Sequence, residues 1–485
     1  MKLKTLGLEE IEVLKKIEFN PFTKRYRRGL KKVALVYPNR YIGGISNIGL
    51  QIIYSKVFES GAYCERFYYD VFDGIRGFEN ATPLQKFDIA LFSLQYEIDY
   101  FKAIEILRKG NFKGLKIAGG PAAMINPKPL TKYFDAFFIG EVDEKIEEII
   151  QAKSKEDLAG IDGMYTGKED RVKRVRAKLG QHLPTEIVGQ GAYGRCFILE
   201  IGRGCIRGCR FCVVRSIYSP PRWRKLEDLP EIKGVEKIVL VAPSPTDNPN
   251  FLSMLQYYIV NGFNVSPSSI RADTVNEELV NLLHEGGLKT LTLAPETASS
   301  NLQEKIGKGI TSEDVLNAAK VSSKKFDKIK LYFMIGLPGE SMDDVRDIVN
   351  LASKVKEIVG AVKISVNPLV PKPHTPFQWL PFTGNKNLKD GFKQLKKKID
   401  YLRMETSRLN MEARIPDMTE YVIQTILSRG DESVSKVFEV KDFRGLSKFL
   451  KEQSVDEVLP WDFIDHGYNK NSLAKEYEKA VGLGF

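Results

Sequence analysis

The amino-acid sequence predicts an α/β protein made of two successive units of parallel sheet and helix, followed by a helical region. Two observations support this fold class. Apolar runs of strand length alternate with amphipathic helical patterns over residues 32–152, and a second alternation runs over residues 196–384. The 485 residues are 43% apolar and 28% charged, which is typical of a folded globular chain. This length corresponds to about three domains.

The N-terminal residues 1–31 are predicted to form a basic helical lead-in, with a helix from Glu9 to Glu18. The net charge of the chain is +11, and ten Lys or Arg against four Glu in residues 1–32 contribute +6 of it. The basic run between Lys24 and Lys32 has the charge to bind phosphate groups of a nucleic acid. A solvated approach to the first strand explains this run more simply, because basic runs alone are weak evidence.

Residues 32–152 form the first predicted unit, a Rossmann-like doubly wound parallel sheet. Helices at Asn47–Gly61, Glu97–Gly110 and Asn126–Phe134 are expected between its strands. Continuous apolar strands between amphipathic helices indicate a sheet that is covered on both faces. Residues 153–195 are polar and basic and are predicted to be a connector with a hairpin. The strands are expected at Lys32–Pro38, Cys64–Phe72, Asp88–Gln95, Leu115–Pro121 and Ala136–Glu141.

Residues 196–384 are predicted to form a partial or full (β/α) barrel, because strand and helix patterns follow one another through this stretch. In such barrels the chemistry takes place at the C-terminal ends of the strands. Residues 385–485 are rich in Lys and Glu with helical periodicity, so a helical C-terminal domain is expected. The barrel strands are expected at Phe197–Ile201, Lys237–Ala242, Ser268–Arg271, Lys289–Leu293, Lys330–Ile335 and Val362–Val366.

Three of the five cysteines form a compact motif directly after the first barrel strand. Cys205, Cys209 and Cys212 have the spacing C-x3-C-x2-C, whereas Cys64 and Cys196 stand apart. A disulfide framework is not expected in a cytoplasmic chain of this size, so the spacing indicates metal ligation. Three thiolates hold a [4Fe–4S] cluster with one iron left open to a further ligand. A structural zinc site needs a fourth Cys or His at a suitable spacing, and the sequence has none there.

The residues around the three cysteines fit a cluster. Three glycines allow the backbone to pass close to it, and three arginines are expected to offset its negative charge. These residues are Gly202, Gly204 and Gly208, and Arg203, Arg207 and Arg210.

A C-x3-C-x2-C motif at this place in a (β/α) barrel resembles that of the radical S-adenosylmethionine (SAM) superfamily. The resemblance implies that Cys205, Cys209 and Cys212 hold a [4Fe–4S] cluster and that SAM chelates the open iron. It also implies reductive cleavage of SAM to methionine and a 5′-deoxyadenosyl radical, with an electron donor such as ferredoxin or flavodoxin. The Gly-Gly-Glu stretch usual in the family is absent after the second strand. The resemblance assigns SAM contacts to Phe211, Ser244, Ser269, Arg271, Glu296, Gly336 and Gly339.

A Rossmann-like domain before such a barrel resembles the cobalamin-binding subclass of the superfamily. The D-x-H-x-x-G motif usual after the first strand is replaced by a segment with Asn39 and Tyr41 at the Asp and His positions. None of the four histidines lies in residues 32–152, so Tyr41 rather than an imidazole is expected on the lower face of the cobalt. The other cobalamin contacts implied by the resemblance are Gly43, Gly44, Ser93, Gly119, Gly120 and Glu141.

The resemblance favours a cobalamin-dependent radical SAM enzyme that methylates or rearranges an unactivated carbon. The alternatives are an RNA methylthiotransferase, a cobalamin-free radical SAM enzyme and a non-catalytic binding protein. A methylthiotransferase needs three cysteines for a second cluster in its N-terminal domain, and this domain has only Cys64. The substrate class stays open among a lipid, a peptide, a nucleic acid and a small metabolite, and the basic N-terminus favours an anionic one.

His374 lies in a Pro-rich loop after the last barrel strand and is a candidate for a catalytic proton carrier. A structural role, by packing against Trp379 or by binding a loop carbonyl, is the simpler expectation.

The location of the protein is also predicted from the sequence. No apolar run reaches the length of about 18 residues that a spanning helix needs. The N-terminal segment carries acidic residues where a signal peptide has an apolar core. A cytoplasmic protein without a transmembrane anchor is therefore expected.

Overall fold

The computed structural model of the protein describes residues 4–22, 26–179 and 187–482. The basic run of the lead-in falls partly outside these residues, because Lys24 and Arg25 are not among them. His182 also lies outside them. Within the described ranges, no helix is both long and apolar enough to cross a membrane.

The first unit is a six-stranded sheet with the strand order β2-β1-β3-β4-β5-β6. The pairs are parallel except for the last one, in which β6 runs antiparallel to β5. The chain order reverses beside β1, and ligands of such sheets bind at the carboxyl ends of the strands near this switch. The strands are β1 (Lys32–Tyr37), β2 (Tyr63–Tyr68), β3 (Ile89–Ser93), β4 (Leu115–Gly119), β5 (Ala136–Phe138) and β6 (Met164–Tyr165).

Helices connect these strands and cover the sheet. The N-cap of α3 is Asn47, whose side chain accepts from the backbone amide of Leu50. The helix predicted over Asn126–Phe134 is absent; a short α5 and a 3-10 turn at Lys128–Leu130 take its place. The helices are α1 (Leu8–Ile17), α2 (Tyr41–Gly44), α3 (Ile48–Glu59), α4 (Asp99–Lys109), α5 (Pro121–Ile125), α6 (Ile146–Gln151) and α7 (Lys155–Ala159).

Besides β6, the described part of the connector contains three short strands, and one of them pairs with a strand near the C-terminus. The strands β8 (Gln190–Gly191) and β9 (Gly194–Arg195) pair in an antiparallel hairpin. The strand β7 (Val172–Lys173) instead pairs with a strand near the C-terminus, β19 (Ile464–Asp465).

The second unit is an incomplete barrel of parallel strands. A three-stranded sheet, β10-β13-β14, is followed by a four-stranded sheet, β15-β16-β17-β18, and a bridge between Ile270 and Leu293 joins the two. A short antiparallel pair, β11 (Gly202–Arg203) and β12 (Arg222–Trp223), flanks the first strand. The other strands are β10 (Phe197–Glu200), β13 (Lys237–Val241), β14 (Asn264–Pro267), β15 (Leu291–Glu296), β16 (Lys328–Ile335), β17 (Ala361–Pro368) and β18 (Glu412–Arg414).

The barrel helices lie between these strands, and their ends carry the expected caps. Ser341, for example, begins α13 with a capping box to Asp344. The helices are α8 (Val214–Ile217), α9 (Phe251–Val260), α10 (Glu277–Glu285), α11 (Ser300–Ile306), α12 (Ser312–Ser322) and α13 (Met342–Val359).

The C-terminal region is mostly helical, as predicted, but it also contributes to the barrel. The strand β18, within this region, pairs in parallel with β17. Its residues are all exposed, so it lacks the apolar pattern that marks a buried strand. The helices are α14 (Leu388–Arg408), α15 (Thr419–Arg429), α16 (Val437–Val440) and α17 (Lys470–Gly482). The α/β fold class with its two parallel sheets is thus confirmed.

Candidate functional site

The cysteine loop (residues 204–212) follows the first barrel strand at its C-terminal end. It begins at Gly204, whose φ is +84°. A Cβ atom there would lie 2.5 Å from the carbonyl oxygen of Tyr218, so a side chain at this position is excluded both by space and by backbone conformation. The loop ends at α8, which packs against α5 of the first unit.

The three thiols of this loop form one electrostatically coupled group. Burial raises the pKa of Cys209 to about 11, and the neighbouring Cys212 and Cys205 add to this increase. Burial also raises the pKa of Cys212, while the backbone amides of Val214 and Arg215 oppose it. Iron binding therefore displaces protons from the thiols.

The donor set of the loop suits an iron–sulfur cluster. It consists of three free, half-buried cysteines on one short loop, and in a [4Fe–4S] cluster each thiolate binds a different iron. Three thiolates leave one of the four irons open to a further ligand. The chemistry of the residues present therefore fits the four-iron group.

The arginines of the loop have other partners than predicted. Arg203 pairs with Glu200 at 2.8 Å and with Asp143 at 3.2 Å, because it lies at the junction of the two units. Arg210 donates to the carbonyl oxygens of Glu304 and Lys305, which end α11. Arg203 is thus paired mainly with carboxylates, and the contribution of the two arginines to offsetting the charge of the cluster stays a prediction.

Arg207 keeps a part of the predicted role. Its guanidinium forms a two-pronged ion pair with Asp247, with Nε 3.0 Å from Oδ2, and its charge also interacts with Cys205. Asp247 follows the second barrel strand, in the place where the Gly-Gly-Glu stretch is absent. It therefore anchors the cysteine loop from that strand end.

Lys308 is a residue of the site that sequence reasoning missed. Its ammonium group lies 2.6 Å from Glu296 Oε1, and its charge acts on the thiols of Cys209 and Cys212. It lies just after α11, and no local pattern marks it as a site residue. Lys308 thus supplies a cation on the cluster side of the barrel.

Glu296 has a strained backbone at the end of β15. Its φ is +70°, and the register of β15 against β16 shifts between Leu293 and Glu296. A non-glycine residue in this region costs free energy and is often found at functional sites. The strain turns the carboxylate toward Lys308.

Arg271, in the segment that follows β14, also contacts Lys308. It pairs with Asp273 at 2.8 Å and donates to the carbonyl oxygen of Lys308 at 3.1 Å. Arg271 is buried, with 8% of its surface exposed to solvent. The structure therefore brings Arg271, Glu296 and the cysteine thiols to one end of the barrel, as predicted.

The other predicted SAM residues also lie at strand ends. Phe211 is half-buried against the main core, Ser244 is buried after β13, and Ser269 is exposed after β14. Gly336 and Gly339 both have positive φ, which the loop after β16 requires.

That loop after β16 is held by a buried ion pair. Glu340 Oε2 accepts from the backbone amide of Gly336 at 2.8 Å, and it pairs with Lys398 of α14 at 2.8 Å. Long helices of the C-terminal region thus hold the strand-end loops in place.

The first unit contains an apolar cavity at the carboxyl ends of its central strands. It is a partly open depression between the sheet and the helices α3 and α6, and its space of about 420 Å³ includes open solvent. The predicted residues Ser93, Gly119 and Gly120 line it. A Cβ atom at Gly119 would meet nothing closer than 3.8 Å, so the missing side chain leaves room there. The apolar lining has the chemistry to contact a flat apolar ring such as a dimethylbenzimidazole base.

Tyr41 does not face this cavity. Its hydroxyl donates to Glu18 at 2.7 Å, and its ring packs against Tyr68 and Phe78. Burial and the neighbouring Glu18 raise the pKa of Tyr41 above its ordinary value. The prediction that its phenol lies on the lower face of the cobalt is therefore corrected, since the ring belongs to the core of the first unit.

The glycines beside Tyr41 also serve packing. A Cβ atom at Gly44 would lie 2.3 Å from the ring of Tyr68, and one at Gly43 would lie 3.2 Å from the hydroxyl of Tyr37. Both positions thus need a small residue for reasons internal to this unit. Neither lines the cavity.

Asn39 is hydrogen-bonded to Asp99, a second residue that was not predicted from the sequence. Its amide donates to Asp99 Oδ1 at 2.8 Å, at the ends of β1 and β3. Asp99 is fully buried, and burial raises its pKa to about 7, against the opposing effect of Lys102. Its second oxygen has no hydrogen-bond partner among the residues described. A single Asp at the start of a helix is usually an ordinary helix cap. The sequence therefore did not mark Asp99 as a residue with unusual surroundings.

Glu141 lies between the two units rather than in the cavity. It pairs with Arg222 at 2.6 Å and with Arg203 at 3.2 Å. Although burial opposes ionisation, these arginines hold the pKa of Glu141 below its ordinary value. In place of the predicted cobalamin contact, Glu141 forms ion pairs that attach the first unit to the strands β11 and β12 beside the cysteine loop.

His374 has the structural surroundings that were the simpler expectation. Its Nε2 lies 3.0 Å from the carbonyl oxygen of Ile125, and its Nδ1 bonds to Tyr468. Its ring stacks edge-on against His466 at 4.4 Å. Burial, and then His466, lower the pKa of His374 well below its ordinary value. A neutral ring with both nitrogens bonded joins the barrel to the first unit.

Comparisons with known proteins agree with this arrangement. The family model described as "Radical SAM superfamily" matches residues 199–352, and the model described as "Radical SAM proteins, N-terminal" matches residues 49–177. Uncharacterized protein MJ0966 of Methanocaldococcus jannaschii is 37% identical over 464 residues, which cover 92% of this chain and 99% of that protein. Uncharacterized methyltransferase PH0819 of Pyrococcus horikoshii is 27% identical over 53% of this chain and 61% of its own length.

A solved structure shares the fold. The radical SAM methyltransferase TsrM from Kitasatospora setae, solved with cobalamin and a [4Fe–4S] cluster bound, superposes with a TM-score of 0.55 at 16% identity. The match covers 70% of this chain and 75% of TsrM. Ribosomal protein uS12 methylthiotransferase RimO of Clostridioides difficile is also similar, at 24% identity over 55% of this chain and 65% of its own length.

Proposed function

The chain belongs to the radical SAM superfamily, and we propose that it is a cobalamin-dependent methyltransferase that acts on an unactivated carbon. Membership of the superfamily implies a [4Fe–4S] cluster and SAM as cofactors. The methyl transfer and the cobalamin are our proposal.

Cys205, Cys209 and Cys212 would hold the cluster, which with SAM supplies a hydrogen-abstracting radical. Around it, Asp273 holds Arg271 by a two-pronged ion pair, and Arg271 would supply positive charge toward the carboxylate of SAM. Glu296 is placed to accept from ribose hydroxyls, and the contact with Lys308 orients that carboxylate. The loop that contains Gly336 and Gly339 would let the adenine of SAM lie close to the protein backbone.

The apolar cavity of the first unit carries the cobalamin part of the proposal. Cobalamin, when bound, supplies a carrier for a methyl group. The cavity opens among Ser93, Gly119 and Gly120 at the strand ends, where ligands of doubly wound sheets bind. Its apolar lining accepts the nucleotide base, and the contact between α5 and α8 places this unit beside the cysteine loop. The similarity to the methyltransferase TsrM and to the uncharacterized methyltransferase PH0819 supports the same reaction class.

Filling the cavity tests this assignment. In Gly119→Leu the new side chain occupies the space of the base, so we expect cobalamin uptake during anaerobic reconstitution to fall at least about tenfold, the loss expected for an overfilled pocket. Absorption of the iron–sulfur cluster should be unchanged. Gly160→Leu is the matched control, because Gly160 lies in the same unit outside the cavity and its nearest contact is at 3.8 Å. Equal cobalamin uptake by the Gly119→Leu protein and the wild type would refute the assignment.

A methylthiotransferase activity is the second candidate, because relatives of that name match the chain. Such an enzyme needs three thiolates for a further cluster in its N-terminal domain. Cys64 is the one cysteine before residue 196. It is buried in β2, and burial raises its pKa well above the ordinary value. The cysteine content therefore favours the cobalamin enzyme.

A further inference from the structure

A basic cleft borders the cysteine loop on the outer surface of the protein. It consists of two adjoining depressions, of about 730 and about 680 Å³, which share Arg174, Arg176 and His466. Two further basic residues, Lys173 and Arg215, line it. Neither the superfamily chemistry nor the cobalamin cavity uses this cleft.

The charge of the cleft is predominantly positive. Lys173 and Arg176 are exposed, and the acidic residues that line it are Asp465 and Glu476. Glu476 pairs with Arg215 at 2.8 Å, and Asp465 pairs with Arg171 at 2.8 Å. Four cationic side chains against two anionic ones leave an excess of positive charge facing solvent.

The cleft also holds polar groups whose hydrogen bonds are incomplete. Arg174 donates to the carbonyl oxygens of Ser216 and Ser219, but its Nε has no partner. The Nδ1 atom of His466 likewise has none, in the part of the chain that is described. Both residues are more than nine-tenths buried. Buried polar atoms without partners are rare, and here both belong to residues that line the cleft.

Arg215 connects this cleft to the iron ligands. Its backbone amide lies against the thiol of Cys212, and its side chain, 35% exposed, forms part of the cleft wall. Its guanidinium also reaches the carbonyl oxygen of Gly208 at 3.5 Å. Arg215 therefore contacts the predicted cluster ligand Cys212 with its backbone and lines the cleft with its side chain.

We propose that the basic cleft is the docking surface for an acidic protein that donates single electrons at low potential, such as a ferredoxin. One electron leaves the reduced donor, which is oxidised, and enters the oxidised cluster, which is reduced; no bond forms or breaks and no proton moves. Electrostatic complementarity steers such an encounter and sets its orientation. The position suits a redox partner, because Arg215 contacts the predicted cluster ligand Cys212 and lines the cleft, which gives an electron a short path from the docked protein to the cluster.

The test compares two charge-reversal variants of the cluster-loaded protein. Lys173→Glu/Arg176→Glu reverses the cleft, and Lys320→Glu/Lys354→Glu reverses two exposed lysines on α12 and α13 as the matched control. An acidic ferredoxin with [4Fe–4S] clusters is the probe. Its affinity is measured by titration calorimetry at low salt, and the rate of cluster reduction is followed by stopped-flow absorption. Neither readout depends on cobalamin or on methyl transfer.

We expect the cleft variant to bind the ferredoxin at least about tenfold more weakly and to be reduced correspondingly more slowly, as for reversed charges at a steering surface. Its reduction by dithionite, which needs no docking, should match the wild type. The control variant should resemble the wild type in both measurements. Added salt should weaken the wild-type complex, because exposed charges are screened.

Three results would overturn the proposal. The wild-type protein does not bind the ferredoxin, the two variants lose affinity equally, or the cleft variant keeps its ferredoxin affinity while losing affinity for a single-stranded RNA oligonucleotide. The last result would assign the cleft to nucleic acid.

Discussion

At the scale of single residues, the three cysteines of the loop are expected to act as a unit. Replacing Cys205, Cys209 or Cys212 by Ala removes one thiolate from a cluster that has only three. We expect each variant to lose the absorption near ~400 nm that thiolate-bound iron–sulfur clusters show. Anaerobic reconstitution followed by absorption spectroscopy measures this directly.

The two remaining cysteines provide the controls. Cys64→Ala and Cys196→Ala should keep the full absorption, because both residues are buried outside the loop, Cys64 in β2 and Cys196 between β9 and β10. A full cluster signal in the variant that lacks all three loop cysteines would contradict the ligand assignment.

Asp99 makes a separate prediction on pH dependence. An unfolded Asp is ionised at pH 5, whereas the folded carboxyl keeps its proton up to about pH 7 because its pKa is raised by burial. The folded state thus binds the extra proton, and this contribution to stability is lost as pH rises toward 7. From pH 5 to pH 8, wild-type stability should fall relative to Asp99→Asn by about 2–3 kcal/mol.

Urea denaturation of both proteins at the two pH values measures that difference. Replacing the carboxyl group by an amide also has an effect on stability that does not depend on pH. This effect cancels, because only the change in the free energy of unfolding between the two pH values is compared. If the two proteins change equally with pH, the carboxyl of Asp99 is already ionised in the folded state, and its proposed environment is wrong.

At the scale of secondary-structure elements, α2 is held by packing against the tyrosines of β1 and β2. Gly44→Ala would place a methyl group 2.3 Å from the ring of Tyr68, so we expect a loss of about 1–3 kcal/mol in the free energy of unfolding. Gly43→Ala is the matched variant, since its nearest contact is 3.2 Å, and it should lose much less. Denaturant melts of the two variants measure the difference.

The same pair of variants separates packing from ligand binding. Cobalamin uptake per folded molecule should be unchanged in both, because neither glycine lines the cavity. A Gly44→Ala protein with wild-type stability and no cobalamin uptake would restore the role first predicted for this segment.

At the scale of the whole molecule, a few buried contacts hold the two units together. Glu97 of the first unit pairs with Lys372 of the loop after β17, Glu141 pairs with Arg203 and Arg222, and His374 bonds to Ile125. Glu97 and Glu141 follow the strands β3 and β5 of the first unit, Arg203 and Arg222 lie in β11 and β12, and Ile125 ends α5. These contacts thus attach the first unit to the barrel at several separate places.

The sequence predicted features that depend on local pattern. The strand and helix alternation, the spacing of Cys205, Cys209 and Cys212, and the glycines after β4 are all properties of short segments. What it did not predict depends on partners distant in the chain. Arg203 pairs with residues of the other unit, Tyr41 turns toward Glu18, and β18 joins the barrel through an exposed edge. No local pattern shows such partners, because they exist only once the chain is folded.

The central claim is that one chain brings SAM and cobalamin together for methyl transfer. The most direct measurement uses anaerobic protein loaded with iron, sulfide and cobalamin, incubated with a low-potential reductant and SAM that carries a CD₃ methyl group, followed by mass spectrometry of the protein-bound cobalamin. The account predicts that the deuterated methyl group appears on the cobalamin, and that it does not in protein whose cavity is filled by Gly119→Leu. Protein that takes up the cluster and cleaves SAM but neither retains cobalamin nor labels it would contradict the account.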